Sequence, residues 1–233
     1  TQRPMNLLEL LIDILAPLEC LNCGNEGSLL CSSCDKHLPV AASHCYRCHT
    51  PTLNYEVCST CSSNSSIRNV YVATVYSGVA KDILWQLKLA GVRSSAQLIA
   101  SKLATLVKNK SNTLLVPVPT ATSRARQRGY DQAELITREL SRITGMPRSS
   151  LLARSGQMHQ HGLSREQRLR QLNNAYRTKN SSRVRGRHII LVDDVITTGA
   201  TLESAAWVLR SAGAKTIDAA VFAQPLIRKT LPQ

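Results

Sequence analysis

The stretch IILVDDVITTGAT, residues 189–201, decides how this chain is read. Four aliphatic residues, Ile189 to Val192, run straight into paired acids, Asp193 and Asp194, and then into Thr197-Thr198-Gly199-Ala200-Thr201. The aliphatic run reads as a buried strand, and the small residues around Gly199 as the turn before a helix starting near Leu202. Two carboxylates side by side at a strand end repel one another, so the pattern calls for a ligand that makes them useful. First-turn N–H groups of a helix lack intrahelical acceptors and carry partial positive charge, which makes Thr197 to Thr201 a cradle for a phosphate. Phosphate alone leaves the acids unexplained. Carboxylates accept hydrogen bonds from a vicinal diol, and phosphate plus cis-diol points to a ribose 5-phosphate.

Outward from this stretch the chain alternates strand and helix. TLESAAWVLRSAG (201–213) reads as a helix with Gly213 placed for a left-handed cap, and TIDAAVFA (216–223) as a final strand. Upstream, VYVATVY (70–76) and TLLVPVP (113–119) read as strands and RGYDQAELITRELSRITG (128–145) as a helix. VAKDILWQLKLAG (79–91) carries Val79, Ile83, Leu84 and Leu87 at helical spacing, and a second helix over 94–109 carries Leu98, Ile99, Leu103, Leu106 and Val107. Near-continuous apolar strands separated by helices predict an α/β fold, a parallel sheet with helices on both faces. Ligands in such sheets lie beyond the carboxyl ends of the strands, where Asp193 and Asp194 stand. Between Arg148 and Arg187 the pattern fails, with few aliphatics and no clear strand, as expected of a lid or binding segment.

The eight cysteines are ordered as four CxxC pairs: Cys20/Cys23, Cys31/Cys34, Cys45/Cys48 and Cys58/Cys61. Each pair puts two thiolates on one tight turn, the bite of a tetrahedral zinc site, and eight thiolates fit two structural Zn²⁺ ions. A disulfide framework is disfavoured because no secretion signal precedes the pairs and a long cysteine-free segment follows. The short gap between Cys23 and Cys31 favours sequential pairing into two ribbons over a cross-brace. An amphipathic helix over 5–16 precedes the cysteines, and SSNSSIRN (62–69) reads as a polar connector. The expected organisation is a zinc-ribbon module over 1–66 followed by an α/β domain over 67–233.

Charge divides the chain in the same place. Residues 1–67 hold three Lys/Arg against six Asp/Glu, a net of −3, which leaves +17 for the remainder. An anionic partner is therefore expected on the second domain. No segment approaches the ~18–20 apolar residues of a membrane span, and the expected location is the cytoplasm.

The stretch 189–201 resembles, position for position, the phosphoribosyl pyrophosphate (PRPP) motif of type I phosphoribosyltransferases. The chain from about Leu18 to Phe222 resembles one branch of that superfamily, the ComF/GntX family linked to natural competence and DNA uptake. The match runs through the double zinc ribbon, YSGVAKDILWQLKLAG, LLVPVPTATSRARQRGYDQAELI, QHGLSREQR and the PRPP motif, in that order. Departures are Tyr130-Asp131, where the family more often has Phe-Asn, and Leu89, where it has an aromatic. Asp131 puts hydrogen-bond donation from that position in doubt.

The resemblance implies a type I phosphoribosyltransferase-like sheet that binds PRPP with Mg²⁺. Asp193 and Asp194 would hold the ribose hydroxyls as catalytic acids, and Thr197, Thr198, Gly199, Ala200 and Thr201 the 5-phosphate. Lys88 is either a phosphate ligand or a solvated helix lysine. Arg124, Arg126 and Arg128 either serve pyrophosphate or form a basic solvated face or nucleic-acid contact. Gln160, Ser164, Arg165 and Arg168 would belong to a hood closing over the reaction, and His159 and His161 read as loop histidines. The implied partners are single-stranded nucleic acid and DNA-uptake or helicase proteins. Three functions stay open: transfer from PRPP to an unknown acceptor, nucleic-acid binding with the PRPP site as sensor or phosphate pocket, and nucleobase salvage. A +17 domain favours a polyanion, although nine aromatics in the whole chain are few for a base-stacking surface. Tyr130 and Tyr176 could stack, but read better as partly buried structure.

Overall fold

The computed structural model describes residues 18–89, 93–120, 128–154 and 175–226. The helix expected over 5–16 lies outside them, as do His159, His161 and six candidate residues: Arg124, Arg126, Gln160, Ser164, Arg165 and Arg168. Two short helices, α1 (Ser32–Lys36) and α2 (Ser59–Ser62), sit within the cysteine-rich segment. There follow β1 (Val70–Val75), α3 (Val79–Leu89), α4 (Arg93–Ala104), β2 (Thr113–Pro117) and α5 (Gln132–Thr144). The short strands β3 (Leu152–Arg154) and β4 (Tyr176–Thr178) come next, then β5 (His188–Val195), α6 (Ala200–Ser211) and β6 (Thr216–Gln224).

Four strands form a parallel sheet in the order β1-β6-β5-β2. Alternation along each strand divides the core in two. Leu114 and Val116, Ile189 and Leu191, and Ala219 and Val221 face Leu202, Ala205, Ala206 and Leu209 of α6. Their neighbours Leu115, Ile190, Val192, Ala220 and Phe222 face the other way, onto Ile83, Leu84 and Leu87 of α3 and the apolar stripes of α4 and α5. Both faces are covered, which explains why the strands read as unbroken apolar runs.

The zinc-ribbon segment is built into this core. Its first half contributes Leu30 and Leu38 to the α3–α5 side, and its second half Ala41 and Tyr46 to the α6 side. Val40 bridges Thr74 and Glu56 bridges Asn69, so the segment runs along β1, the edge strand of the sheet. Thr74 Oγ1 donates to the Pro39 carbonyl at 2.6 Å, and Lys102 Nζ of α4 lies 2.5 Å from Asp35. An edge that would otherwise expose unpaired backbone groups is covered. The polar stretch 62–69 is anchored as well: Ile67 is buried, and the Arg68 N–H donates to the Ile217 carbonyl at 2.8 Å.

Three boundaries differ from expectation. Helix α4 ends at Ala104, and Leu106 and Val107 close back onto the Leu103 carbonyl in turns. Helix α5 begins at Gln132 because Asp131 caps it, accepting from Ala133 N at 3.0 Å and Glu134 N at 3.3 Å. Between Arg148 and Arg187, where no strand was expected, β3 and β4 pair antiparallel at either end of residues 155–174. Three-residue strands are too short for a period-two signal to register. The N-cap carries a prediction: Asp131→Ala lowers stability by about 1–2 kcal/mol, read as a shift in the urea midpoint at unchanged slope.

Candidate functional site

The site is assembled at the carboxyl end of β5. Strand pairing sets Asp193 opposite Val221 and Val195 opposite Ala223, so both acids stand in the last turns of a central strand. Each is fixed by a local amide: Asp194 N donates to Asp193 Oδ1 at 2.9 Å, and Val195 N to Asp194 Oδ1 at 2.8 Å. Burial, and then the Asp194 charge beside it, hold the Asp193 carboxyl well above the usual carboxylate range. The cost of placing two acids together thus falls on Asp193.

Lys88, in the last turn of α3, reaches Asp194 with Nζ–Oδ2 at 2.8 Å. The Lys88 side chain is 32% exposed, so its ammonium pairs with one acid and still meets solvent. Arg128 lies nearby, sharing with Lys88 the lining of a groove described below.

The loop after the acids leads into the first turn of α6. Gly199 is the N-cap of α6 with φ +77°, while Thr197, Thr198, Ala200 and Thr201 are exposed. Thr198 Oγ1 accepts from Ala200 N at 3.4 Å. Gly199 is required twice over. Its φ disfavours any side chain, and a Cβ there would lie 2.4 Å from Tyr46 Cε2.

That tyrosine belongs to the second cysteine cluster, and its position is a finding the sequence did not suggest. Its hydroxyl donates to Glu203 Oε1 in the first turn of α6. Glu203 also accepts from Ser65 Oγ at 2.5 Å and Ser66 N at 3.0 Å, and pairs with Arg47 at 3.3 Å. One carboxylate therefore ties the cysteine-rich segment to the helix that carries the loop. An acid in the first turn of a helix is ordinarily credited to the macrodipole, so nothing in the sequence marks Glu203 as a clamp.

Tyr176 and Tyr130 are both tied to backbone carbonyls. Tyr176 of β4 is buried, with its hydroxyl 3.4 Å from the Pro119 carbonyl and Arg154 5.5 Å over its ring. Burial pushes the Tyr176 hydroxyl up to about 12. Tyr130 donates to the Leu87 carbonyl at 2.7 Å. Both tyrosines are structural, as read from the sequence. Asp131 accepts from Thr120 N at 2.8 Å in addition to capping α5, so this position works as an acceptor and the donor role in doubt is not used here.

The cysteines form two sets, Cys20/Cys23/Cys31/Cys34 and Cys45/Cys48/Cys58/Cys61, each with its sulfurs within 4.8 Å of one another. Pairing is sequential, and none of the eight is in a disulfide. Cys23 and Cys31 Sγ are 3.7 Å apart and Cys48 and Cys58 Sγ 3.5 Å. A tetrahedron with Zn–S bonds of ~2.3 Å has edges of about 3.8 Å. Four soft thiolates at that spacing fit structural Zn²⁺ in both clusters.

Residues 81–233 match the family described as "Phosphoribosyl transferase domain", and residues 11–62 the family described as "Double zinc ribbon domain". The "DNA utilization protein YhgH" of Escherichia coli K12 is 30% identical over 201 residues, 81% of this chain and 87% of that protein. The "Competence protein ComFC" of Bacillus subtilis is 30% identical over 196 residues, 79% of each chain. The "Competence protein F" of Haemophilus influenzae is 37% identical over 107 residues, a match spanning 45% of this chain and about half, 47%, of that protein. Among the described residues no helix is long and apolar enough to cross a membrane. The parallel sheet, the paired acids before a Gly-turned helix and two four-cysteine clusters on the sheet edge agree with these matches, and the chain belongs to the ComF family of phosphoribosyltransferase-domain proteins with an N-terminal double zinc ribbon.

Proposed function

We propose that this chain binds PRPP at Asp193, Asp194 and the Thr197–Thr201 loop, and couples that site to single-stranded nucleic acid during DNA uptake or use. The zinc-ribbon module is assigned to 1–66 and the transferase-like domain to 67–233. The observation that carries the PRPP reading is the convergence of Lys88, Asp194 and the Gly199 turn at one strand end, with Lys88 Nζ 2.8 Å from Asp194. An ammonium, two hydroxyl-accepting carboxylates and a ring of helix N–H groups make up the donor set of a phosphorylated ribose. The nucleic-acid reading is supported by the +17 charge beyond residue 67 and by relatives named for competence and DNA utilization.

If transfer occurs, the bond from C1 of the ribose to pyrophosphate breaks with its electron pair leaving on pyrophosphate, and an acceptor nucleophile bonds to C1. The protein's part is positioning and electrostatics. The acids hold the ribose hydroxyls near the cationic carbon, the loop fixes the 5-phosphate, and Lys88 moves from Asp194 toward phosphate oxygen. Mg²⁺ would come with PRPP as part of the substrate and would supply charge neutralisation for the pyrophosphate. The hard oxygen donors of Asp193 and Asp194 are compatible with such an ion nearby.

The deciding experiment is ³¹P-detected turnover of Mg-PRPP by zinc-loaded protein, with and without single-stranded DNA, against an Asp193→Asn/Asp194→Asn blank. Pyrophosphate release that rises with DNA and is absent in the blank establishes transfer. Calorimetric PRPP binding without release establishes the second reading, a nucleic-acid-binding protein with PRPP as effector. Turnover with a free nucleobase and no DNA effect would establish salvage.

A further inference from the structure

Helix α3 turns Ala80, Ile83, Leu84 and Leu87 into the core, so solvent-facing positions should be polar. They are not. Trp85 is 59% exposed and Leu89, one turn on, 60% exposed. With Tyr76 just before the helix they border a groove of about 390 Å³ that also takes in Lys81, Lys88 and Arg128. Lys81 Nζ lies 5.6 Å over the Tyr76 ring, holding one cation against an aromatic face. Asp82 sits on the same rim and Lys88 is already paired with Asp194, and among the described residues no ion pair engages Lys81 or Arg128. Both tryptophans of the chain are exposed, Trp207 at 45%, and Trp85 is the one that shares a groove with Lys88 of the candidate PRPP site.

We infer that this groove is where a single-stranded nucleic acid docks, with a base stacked on Trp85 and the flanking phosphates against Lys81 and Arg128. The inference rests on the nucleic-acid part of the proposed function and gives it a location. Charge decides the occupant: an apolar protein surface gains nothing from two cations in the same groove as the indole, whereas a nucleotide presents both a flat π-face and anions. Base–aromatic stacking tolerates any sequence, which suits a protein that handles DNA of arbitrary origin. It also relieves the objection that the chain has few aromatics, because one exposed indole at the right place serves where many buried ones do not. Lys88 borders both the groove and the acid pair, so a docked strand lies next to the bound PRPP.

The test uses full-length, zinc-loaded protein carrying Trp207→Phe, which leaves Trp85 as its single indole. Binding of a twenty-nucleotide oligo-dT is followed in parallel by anisotropy of a labelled strand and by tryptophan quenching with an unlabelled one. The expected result is quenching that saturates with the anisotropy, and a rise in Kd of about tenfold or more for Trp85→Ala at unchanged zinc content and melting temperature. Lys81→Gln weakens binding and flattens its salt dependence by close to one phosphate contact. Anisotropy without quenching, and an unchanged Kd for Trp85→Ala, overturns the location and leaves the nucleic-acid reading standing. No anisotropy change at any strand concentration overturns both. A Trp85→Ala protein that keeps its DNA affinity but changes its sedimentation would show the groove to be a self-association surface.

Discussion

Stripping the zinc is expected to disable the proposed PRPP loop, although no cysteine belongs to that loop. Ribbons of this kind have almost no core of their own; metal binding supplies their folding free energy, about 10–16 kcal/mol apparent for a structural site. When Cys45, Cys48, Cys58 and Cys61 lose their ion, Tyr46 and Arg47, which lie between the first two of them, lose their fixed positions. Tyr46 packs against Gly199 and, with Arg47 and Ser65, holds Glu203 in the first turn of α6. The loop between Asp194 and α6 is then supported on one side only. Chelation, or Cys48→Ser, should therefore lower PRPP affinity by at least about tenfold, since the loss of one charge-assisted contact alone is worth about 1.5–3 kcal/mol. It should also uncover the β1 edge and promote aggregation.

Glu203→Gln separates the clamp from the metal. The amide keeps the shape of the carboxylate but loses its charge toward Arg47 and part of its acceptance from Tyr46, Ser65 and Ser66. Zinc content should stay at two per chain while PRPP affinity falls several-fold. If the zinc-free protein binds PRPP as tightly as the loaded one, the ribbons are passengers of the fold and the clamp is only structural.

The zinc sites and the PRPP-like loop were legible because each is local in sequence. A CxxC pair or a strand-acid-acid-turn segment carries its chemistry within a few residues, and neither needs a partner from elsewhere to be recognised. The sheet was legible for a related reason: strands buried on both faces must be apolar throughout, and this one is. What stayed hidden is long-range. Tyr46 and Glu203 stand 157 residues apart, and their contact depends on the ribbon lying along β1, which no periodicity encodes. Lys88 was ambiguous because a helix lysine looks the same whether it faces water or an acid from another strand. Trp85 was read as one residue of a helix, since pattern alone does not say which face an indole takes when the stripe beside it is already apolar. The hood residues fall at 155–174, outside the described residues, so their expected role stands as part of the proposal.

Asp193→Asn should separate stability from function with opposite signs. In the folded protein burial and Asp194 raise the Asp193 carboxyl well above its ordinary value, near 3.9 in an unfolded chain. Between those two values the folded state holds a proton that the unfolded state has released. Stability from this group is therefore fully present below the unfolded value and is lost as pH rises through the raised one. The amide cannot ionise, yet its carbonyl still accepts from Asp194 N, so the variant should be more stable at neutral pH by about 1 kcal/mol, a gain of roughly 2–4 °C in Tm for a domain of this size, with a flatter pH profile. Ligand binding runs the other way. A ribose hydroxyl donates better to a carboxylate than to a neutral acid, so PRPP affinity should rise with pH across the same window and fall at least about tenfold in the variant. Calorimetry in two buffers of different ionisation enthalpy should detect proton release on binding to the wild type and none for Asp193→Asn. A variant that gains stability but binds PRPP normally, with proton release intact, would remove Asp193 from the ribose site and leave the acid pair as strain without a ligand.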